Sequence, residues 1–343
     1  MTLDVVRKDT MSRSGSDERE GHIVQRGFRL RLVATTVSMI WTFVVLFMGV
    51  LVVATDSGRA CGFDWPYCQG SLFPNVHDVQ QVIEYTHRLL TGLLGFVILG
   101  SALLILFWRD RPTALRHTRT LAVMSVVLLV AQALIGGLNV LLGTPKGFTT
   151  LDVMVSSLLW ISVVTLWAKL YVSRYNVSRT PVRVQGSTSS KVQLENMKAH
   201  TNASTYKPTR LGQAFLIFFF GDILLGAFFK HSALAEVLFG LNPERVWLTS
   251  LRLGEAVYVV HGVWGVTLFL MVIAWWVKSN TSMRPVLNVI ILLLILETIV
   301  GMGAVASDLG VWMVALHTLL ATITLGLSTF ALVYEDEMKG VRR

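Results

Sequence analysis

Glu84-Tyr85-Thr86-His87-Arg88 lies at the start of an apolar run that extends from Val82 to Trp108. As a helix rising 1.5 Å per residue, that run is long enough to cross ~30 Å of hydrocarbon while satisfying its own backbone hydrogen bonds. Glu84 and His87, three residues apart, share one face of it near one end. Ionisable groups inside a bilayer are costly, and they face a bundle interior or a cavity rather than lipid. The stretch therefore predicts a membrane helix that packs into a bundle and contributes chemistry to it.

Seven further runs have the same character: Leu32 to Ala54, Leu121 to Leu142, Phe148 to Tyr171, Leu211 to Phe229, Ala256 to Val277, Val286 to Ala306 and Val311 to Val333. With 53% hydrophobic and 15% charged residues over 343 positions, the chain reads as an integral membrane protein. The expected fold is all-α, with eight transmembrane helices arranged as two pseudo-symmetric four-helix bundles. Six basic residues, Arg59, Arg88, Lys146, Lys230, Arg245 and Arg252, fall in alternate connections or their membrane ends, and the other 24 of 30 fall on the opposite side. The positive-inside rule then puts both termini in the cytoplasm. The net charge of +9 is explained by an anionic inner leaflet and calls for no nucleic-acid partner. Five acidic residues before position 21 argue against a mitochondrial transit peptide, which favours a prokaryotic plasma membrane.

The expected organisation is a cytoplasmic tail over 1–31, a four-helix module over 32–172, a polar linker over 173–210, a second module over 211–334 and a tail over 335–343. His200, in the linker, has no apolar neighbours and reads as solvated. The modules repeat sparsely. A slide of 165 residues aligns Gln132 with Glu297, Gly136 with Gly301 and Asp152 with His317, and a slide of 174 aligns His87 with His261. These are polar residues and glycines that an apolar helix does not require, so their recurrence points to duplicated four-helix units, each with a site near the same membrane face.

Cys61-Gly62-Phe63-Asp64-Trp65-Pro66-Tyr67-Cys68-Gln69-Gly70 precedes the second run on the side expected to be external. An oxidising compartment favours a Cys61–Cys68 disulfide, with Trp65-Pro66 stiffening the ring; a redox-active pair and free thiols are the alternatives. His261 and His317 enter their runs at similar depth, so one planar cofactor can take an imidazole on each side. Two interhelical hydrogen-bonding histidines are the plainer alternative. Asp222 and Glu297 read as bundle-facing hydrogen-bonding groups, and Asp152 either pairs locally or belongs to a site.

Taken together, the cysteine loop, Glu84 through Arg88, Gln132 through Gly137, His261 and Ala315-Leu316-His317 resemble haem A synthase, the CtaA or Cox15 family. The resemblance implies oxidation of the C8 methyl of haem O to a formyl group, yielding haem A for terminal oxidases. It implies a haem b cofactor held by His261 and His317 in the second module, and haem O as substrate in the first. There His87 would ligate the substrate iron, and Glu84 would position the substrate or transfer protons. It leaves open haem O synthase, a membrane or quinol-linked electron donor and a homo-oligomeric assembly as further partners. The family pattern places a histidine in the fourth helix, whereas Asp152 stands there here. The substrate iron is then five-coordinate, or takes a sixth ligand such as His77, or has changed its chemistry. A bis-histidine electron-transfer protein and a two-repeat transporter are the rival classes.

Overall fold

A computed structural model describes residues 2–63, 67–108, 115, 117–143, 145–179, 210–241 and 247–341, with side chains over 25–63, 67–108, 115, 117–143, 145–174, 210–241 and 247–337. Asp64, Trp65 and Pro66 of the cysteine loop, and most of the expected linker with His200, lie outside the described residues. Nine helices occur among them: α1 (Thr2–Ala54), α2 (Val79–Leu106), α3 (Thr118–Leu141), α4 (Phe148–Arg179), α5 (Arg210–His231), the short α6 (Leu234–Leu238), α7 (Leu251–Lys278), α8 (Arg284–Ala306) and α9 (Val311–Val341). All but α6 contain a stretch long and apolar enough to cross a membrane. No strand occurs among the described residues beyond an isolated bridge between Cys68 and Ser71. The chain is a multi-pass, all-helical membrane protein.

Several helices extend past their apolar runs because local caps, rather than hydropathy, decide where they end. Asp78 caps α2 by accepting from the amides of Gln80 and Gln81, so the helix starts at Val79 rather than Val82. Ser250 accepts from Leu253 N and starts α7 five residues before the Ala256 at which the apolar run begins. The first 31 residues, expected only as a tail, continue α1 as helix from Thr2.

In the first half, α1 and α3 each pack against both α2 and α4. In the second, α5 and α8 each pack against both α7 and α9, and α6 lies on α5 and α7. The halves meet through α4 against α9, with α1 on α9 and α4 on α5. Trp160 anchors this seam: its indole Nε1 donates to Thr322 O at 3.0 Å, and its ring lies against Gly326. Trp167 Nε1 donates to Thr36 Oγ1 at 3.1 Å, tying α4 to α1, and Lys169 pairs with Glu337 at 3.2 Å. The largest buried apolar cluster runs from Trp160 through Phe215, Phe219, Leu268, Trp275, Ile290 and Leu325. Many apolar side chains face outward; Phe96, Phe107 and Trp312 are each more than three-quarters exposed, as lipid-facing residues are.

Glycine is required where an indole meets a helix backbone. A Cβ at Gly326 would stand 2.8 Å from Trp160, and one at Gly212 would stand 2.8 Å from Trp275. Gly326→Leu should therefore cost about 1–3 kcal/mol through overpacking and lower the melting temperature in detergent. Gly92→Ala, where a Cβ meets nothing within 4 Å, should leave it unchanged or raise it through better helix propensity. Equal melting temperatures for Gly326→Leu and the parent protein would show that the seam does not depend on this contact.

Candidate functional site

The second half brings two of its helical histidines face to face. His261 of α7 and His317 of α9 have ring centroids 6.4 Å apart, with planes at 85°. His261 Nδ1 bonds Asp222 Oδ1 of α5 at 2.8 Å, and His317 Nδ1 bonds the Glu297 carbonyl of α8 at 3.0 Å. A carbonyl oxygen can only accept, so His317 Nδ1 carries the proton; the Asp222 carboxylate assigns the same tautomer to His261. Each Nε2 is left with a free lone pair, the arrangement of a metal-ligating histidine oriented by a second partner. Two imidazoles ligating one metal from opposite sides at about 2 Å have ring centres roughly 6 Å apart, which the observed spacing matches. Among the described residues no group of three or more His, Cys, Asp or Glu side chains could hold a bare metal ion. Two imidazoles would suit a metal that brings most of its ligands with it, as haem iron does.

Glycines set the ring positions. A Cβ at Gly226 of α5 would lie 3.3 Å from His261 Cε1, and one at Gly301 of α8 would lie 3.2 Å from His317 Cε1. The first half repeats these contacts with different chemistry. Gly49 of α1 faces His87 Cε1 at 3.4 Å, and Gly136 of α3 faces Asp152 Oδ1 at 3.8 Å, each measured from the position a Cβ would take. Gln132 Nε2 donates to Asp152 Oδ1 at 2.7 Å, so the position aligned with His317 holds a hydrogen-bonded carboxylate. His87 Nδ1 is buried without a partner. Asp222 stands four residues before Gly226, and the residue four before Gly49 is Val45, which cannot bond an imidazole.

Around the cysteine loop the polar residues are tied more tightly. Cys61 and Cys68 form the expected disulfide and are both buried. Glu84, also buried, accepts from Cys61 N at 2.7 Å through Oε2 and pairs with Arg88 through Oε1. Arg88 Nη2 donates in addition to Gly62 O at 2.8 Å. Gln81 Oε1 accepts from Asn75 N at 3.1 Å, and Gln80 Nε2 donates to Thr55 O at 3.0 Å. Glu84 thus anchors the loop to the first turns of α2, a role its sequence neighbours did not reveal because its amide partner lies 23 residues away. His77 sits exposed in the loop before α2, its amide donating to Asn75 Oδ1, and no hydrogen bond or ring contact joins it to His87 among the described residues.

Residues 33–329 match the COX15-CtaA family, described as cytochrome oxidase assembly protein. The chain belongs to this family. Among relatives, a haem A synthase of Halalkalibacterium halodurans is 25% identical over 298 residues, covering 84% of this chain and 91% of the relative. One from Bacillus licheniformis is 28% identical over 310 residues, 88% and 93% of the two chains. One from Bacillus pumilus reaches 37% over 142 residues, 40% of this chain and 44% of the relative. The COX15-CtaA match spans both histidine positions of the second half and the Glu84–Arg88 segment of the first.

Removing the Glu84 carboxylate would leave Arg88 a poorly solvated cation and Cys61 N an unpaired donor. Glu84→Ala is therefore expected to cost roughly 3 kcal/mol or more and to free the loop. The measurement is the rate of disulfide reduction by dithiothreitol in detergent, which should rise at least tenfold. Reduction at the parental rate would show that Glu84 does not hold the loop.

Proposed function

We propose that this chain is a haem A synthase, oxidising the C8 methyl of haem O to a formyl group. The observation that carries the reading is the pair of second-half imidazoles, each held at Nδ1 and spaced for one metal, within a chain of the COX15-CtaA family. The bundles would divide the work: residues 32–172 receive haem O, and residues 211–334 hold a resident haem b between His261 and His317. The closed packing of α1 to α4 and of α5 with α7 to α9 supports this division. The distribution of basic residues supports cytoplasmic termini and a plasma-membrane location. Haem O synthase as supplier and a membrane or quinol-linked electron donor would complete the pathway.

Methyl to aldehyde is a four-electron oxidation: two successive hydroxylations, each passing two electrons from the carbon to an external oxidant, would give the hydroxymethyl haem and then the gem-diol, which loses water to leave the aldehyde. Haem iron supplies the redox chemistry. His261 and His317 would fix the resident haem from both faces, and Asp222 and the Glu297 carbonyl would keep their Nε2 lone pairs directed at it. His87 is the only histidine in the four candidate spans of the first half and would take the substrate iron. Asp152, held by Gln132, would place a carboxylate on the other side, where protons must be delivered or removed. Glu84, about one turn before His87, would serve the substrate site by fixing the loop and Arg88.

Pigment extraction from the purified protein with chromatographic separation of the haems tests the reading. Haem O or haem A beside haem B is expected; haem B alone would favour electron transfer without haem oxidation. His261→Ala and His317→Ala should each abolish a low-spin haem signal, and unchanged spectra in both would remove the assignment of these ligands.

The two faces of the first-half site can be tested separately. His87→Ala should abolish haem O binding there while leaving the low-spin signal of the second half in place. Asp152→His should convert bound haem O toward a low-spin, bis-histidine optical and EPR spectrum. Haem O binding by His87→Ala with parental affinity would exclude His87 as a ligand, and an unchanged Asp152→His spectrum would show that Asp152 does not face the iron.

A further inference from the structure

Eleven buried side-chain nitrogen or oxygen atoms lack a hydrogen-bond partner among the described residues, and six of them gather at the cysteine-loop end of the first half. They are Arg59 Nε, His87 Nδ1, Arg88 Nη1, Gln132 Oε1, Asn139 Oδ1 and Thr150 Oγ1. Buried polar groups are ordinarily satisfied, so a local concentration of unsatisfied ones marks a place where ordered water or a polar ligand completes the bonding.

Arg59 is the most demanding of the six. It follows Gly58 in the turn after α1, where Gly62 N donates to Arg59 O at 3.0 Å. Its guanidinium reaches the end of α3, with Nη2 2.9 Å from where a Cβ of Gly143 would stand. Gly143 has φ +69, so glycine serves there both for the left-handed turn and for the space. No ion pair or hydrogen bond of the Arg59 side chain occurs among the described residues. Glu84 is committed to Arg88 and Cys61, and Asp152 to Gln132. Arg88 is tied to the same turn through Gly62 O and keeps Nη1 free. Arg59 on this turn and Arg88 of α2, whose side chain reaches the turn at Gly62 O, each keep a buried donor unspent, and together they offer donors to a carboxylate, which a guanidinium binds in a planar, two-bond geometry.

The position fits the substrate. Gln132, Gly136 and Asn139 follow one another at helical spacing along α3, and Gly143 lies two residues past its end, so one side of this segment runs from Asp152 toward Arg59. From Gly136 to the end of α3 at Leu141 is about 7 Å of helix, with the turn to Gly143 beyond it. A haem with its iron near the level of Asp152 and its propionates toward the loop would span that interval. We propose that Arg59, with Arg88 reaching the same turn through Gly62 O, forms the subsite for the propionate carboxylates of haem O in the first half; this rests on the proposed function.

The test is an optical titration of the full-length protein in phosphatidylcholine nanodiscs with haem O and with its dimethyl ester. The phase lost in His87→Ala identifies first-half binding. Arg59→Gln should weaken free-acid haem O by about tenfold or more, the loss of one charge-assisted hydrogen bond, and leave the ester unchanged. Arg59→Lys should recover part of the loss. Equal weakening of acid and ester, or no weakening of the acid, overturns the subsite while leaving the haem-site reading intact. Absence of any His87-dependent phase in the parent protein overturns both. If Arg59→Gln instead lowers retention of phosphatidylglycerol in anionic nanodiscs without altering either titration, the guanidinium serves a lipid phosphate and the proposal falls.

Discussion

An imidazole inside a bilayer binds a metal more strongly through one nitrogen when the other has a partner that fixes its proton, and there no water is at hand to do so. The second half meets this requirement twice, once with the carboxylate of Asp222 and once with the backbone carbonyl of Glu297. Both partners come from helices adjacent to those bearing the histidines, so the site depends on how α5 lies on α7 and α8 on α9. Gly226 and Gly301 let the rings rest against those neighbouring backbones. The packing that buries the rings also orients them.

The first half uses the same frame without the same electrostatics. Gly49 receives His87 as Gly226 receives His261, and Gly136 lies against Asp152 as Gly301 lies against His317. Val45 leaves His87 Nδ1 without the carboxylate that Asp222 gives its counterpart, and the facing group is acidic rather than basic. An imidazole lacking a hydrogen-bonded anion is a weaker donor to a metal than one that has it. One strong bis-imidazole position and one weak single-imidazole position on a shared scaffold suit a resident cofactor and an exchangeable substrate, respectively.

Much of the fold is legible from hydropathy because a spanning helix must be apolar for about twenty residues, and all eight runs became helices at their expected places. Helix ends were less legible. Ser250 and Asp78 act through single hydrogen bonds that an apolar average does not register. His261 and His317 could be paired from their depth and repeat register, and Asp222 was expected to hydrogen-bond within the bundle. What escaped were residues whose importance lies in what they allow or omit. Gly49 and Gly226 align only at a slide of 177, a third offset beside 165 and 174, and Val45 carries no polar mark at all. Arg59 escaped for another reason: a loop arginine is unremarkable until its side chain is seen to make no ion pair or hydrogen bond among the described residues.

The disulfide loop joins these observations. Its Cys61 amide is held by Glu84, its Gly62 carbonyl by Arg88 and the Gly62 amide by Arg59 O, so the cross-linked turn and the first turns of α2 form one unit. Arg88 is placed by its pair with Glu84 and its bond to Gly62 O, and the backbone of Arg59 by the bond from Gly62 N. An anion bound there would take up the donors that Arg59 Nε and Arg88 Nη1 leave unspent. The cross-link keeps that arrangement available when the anion is absent, so binding need not first order the loop, and the ordering entropy is spent in folding rather than in substrate capture.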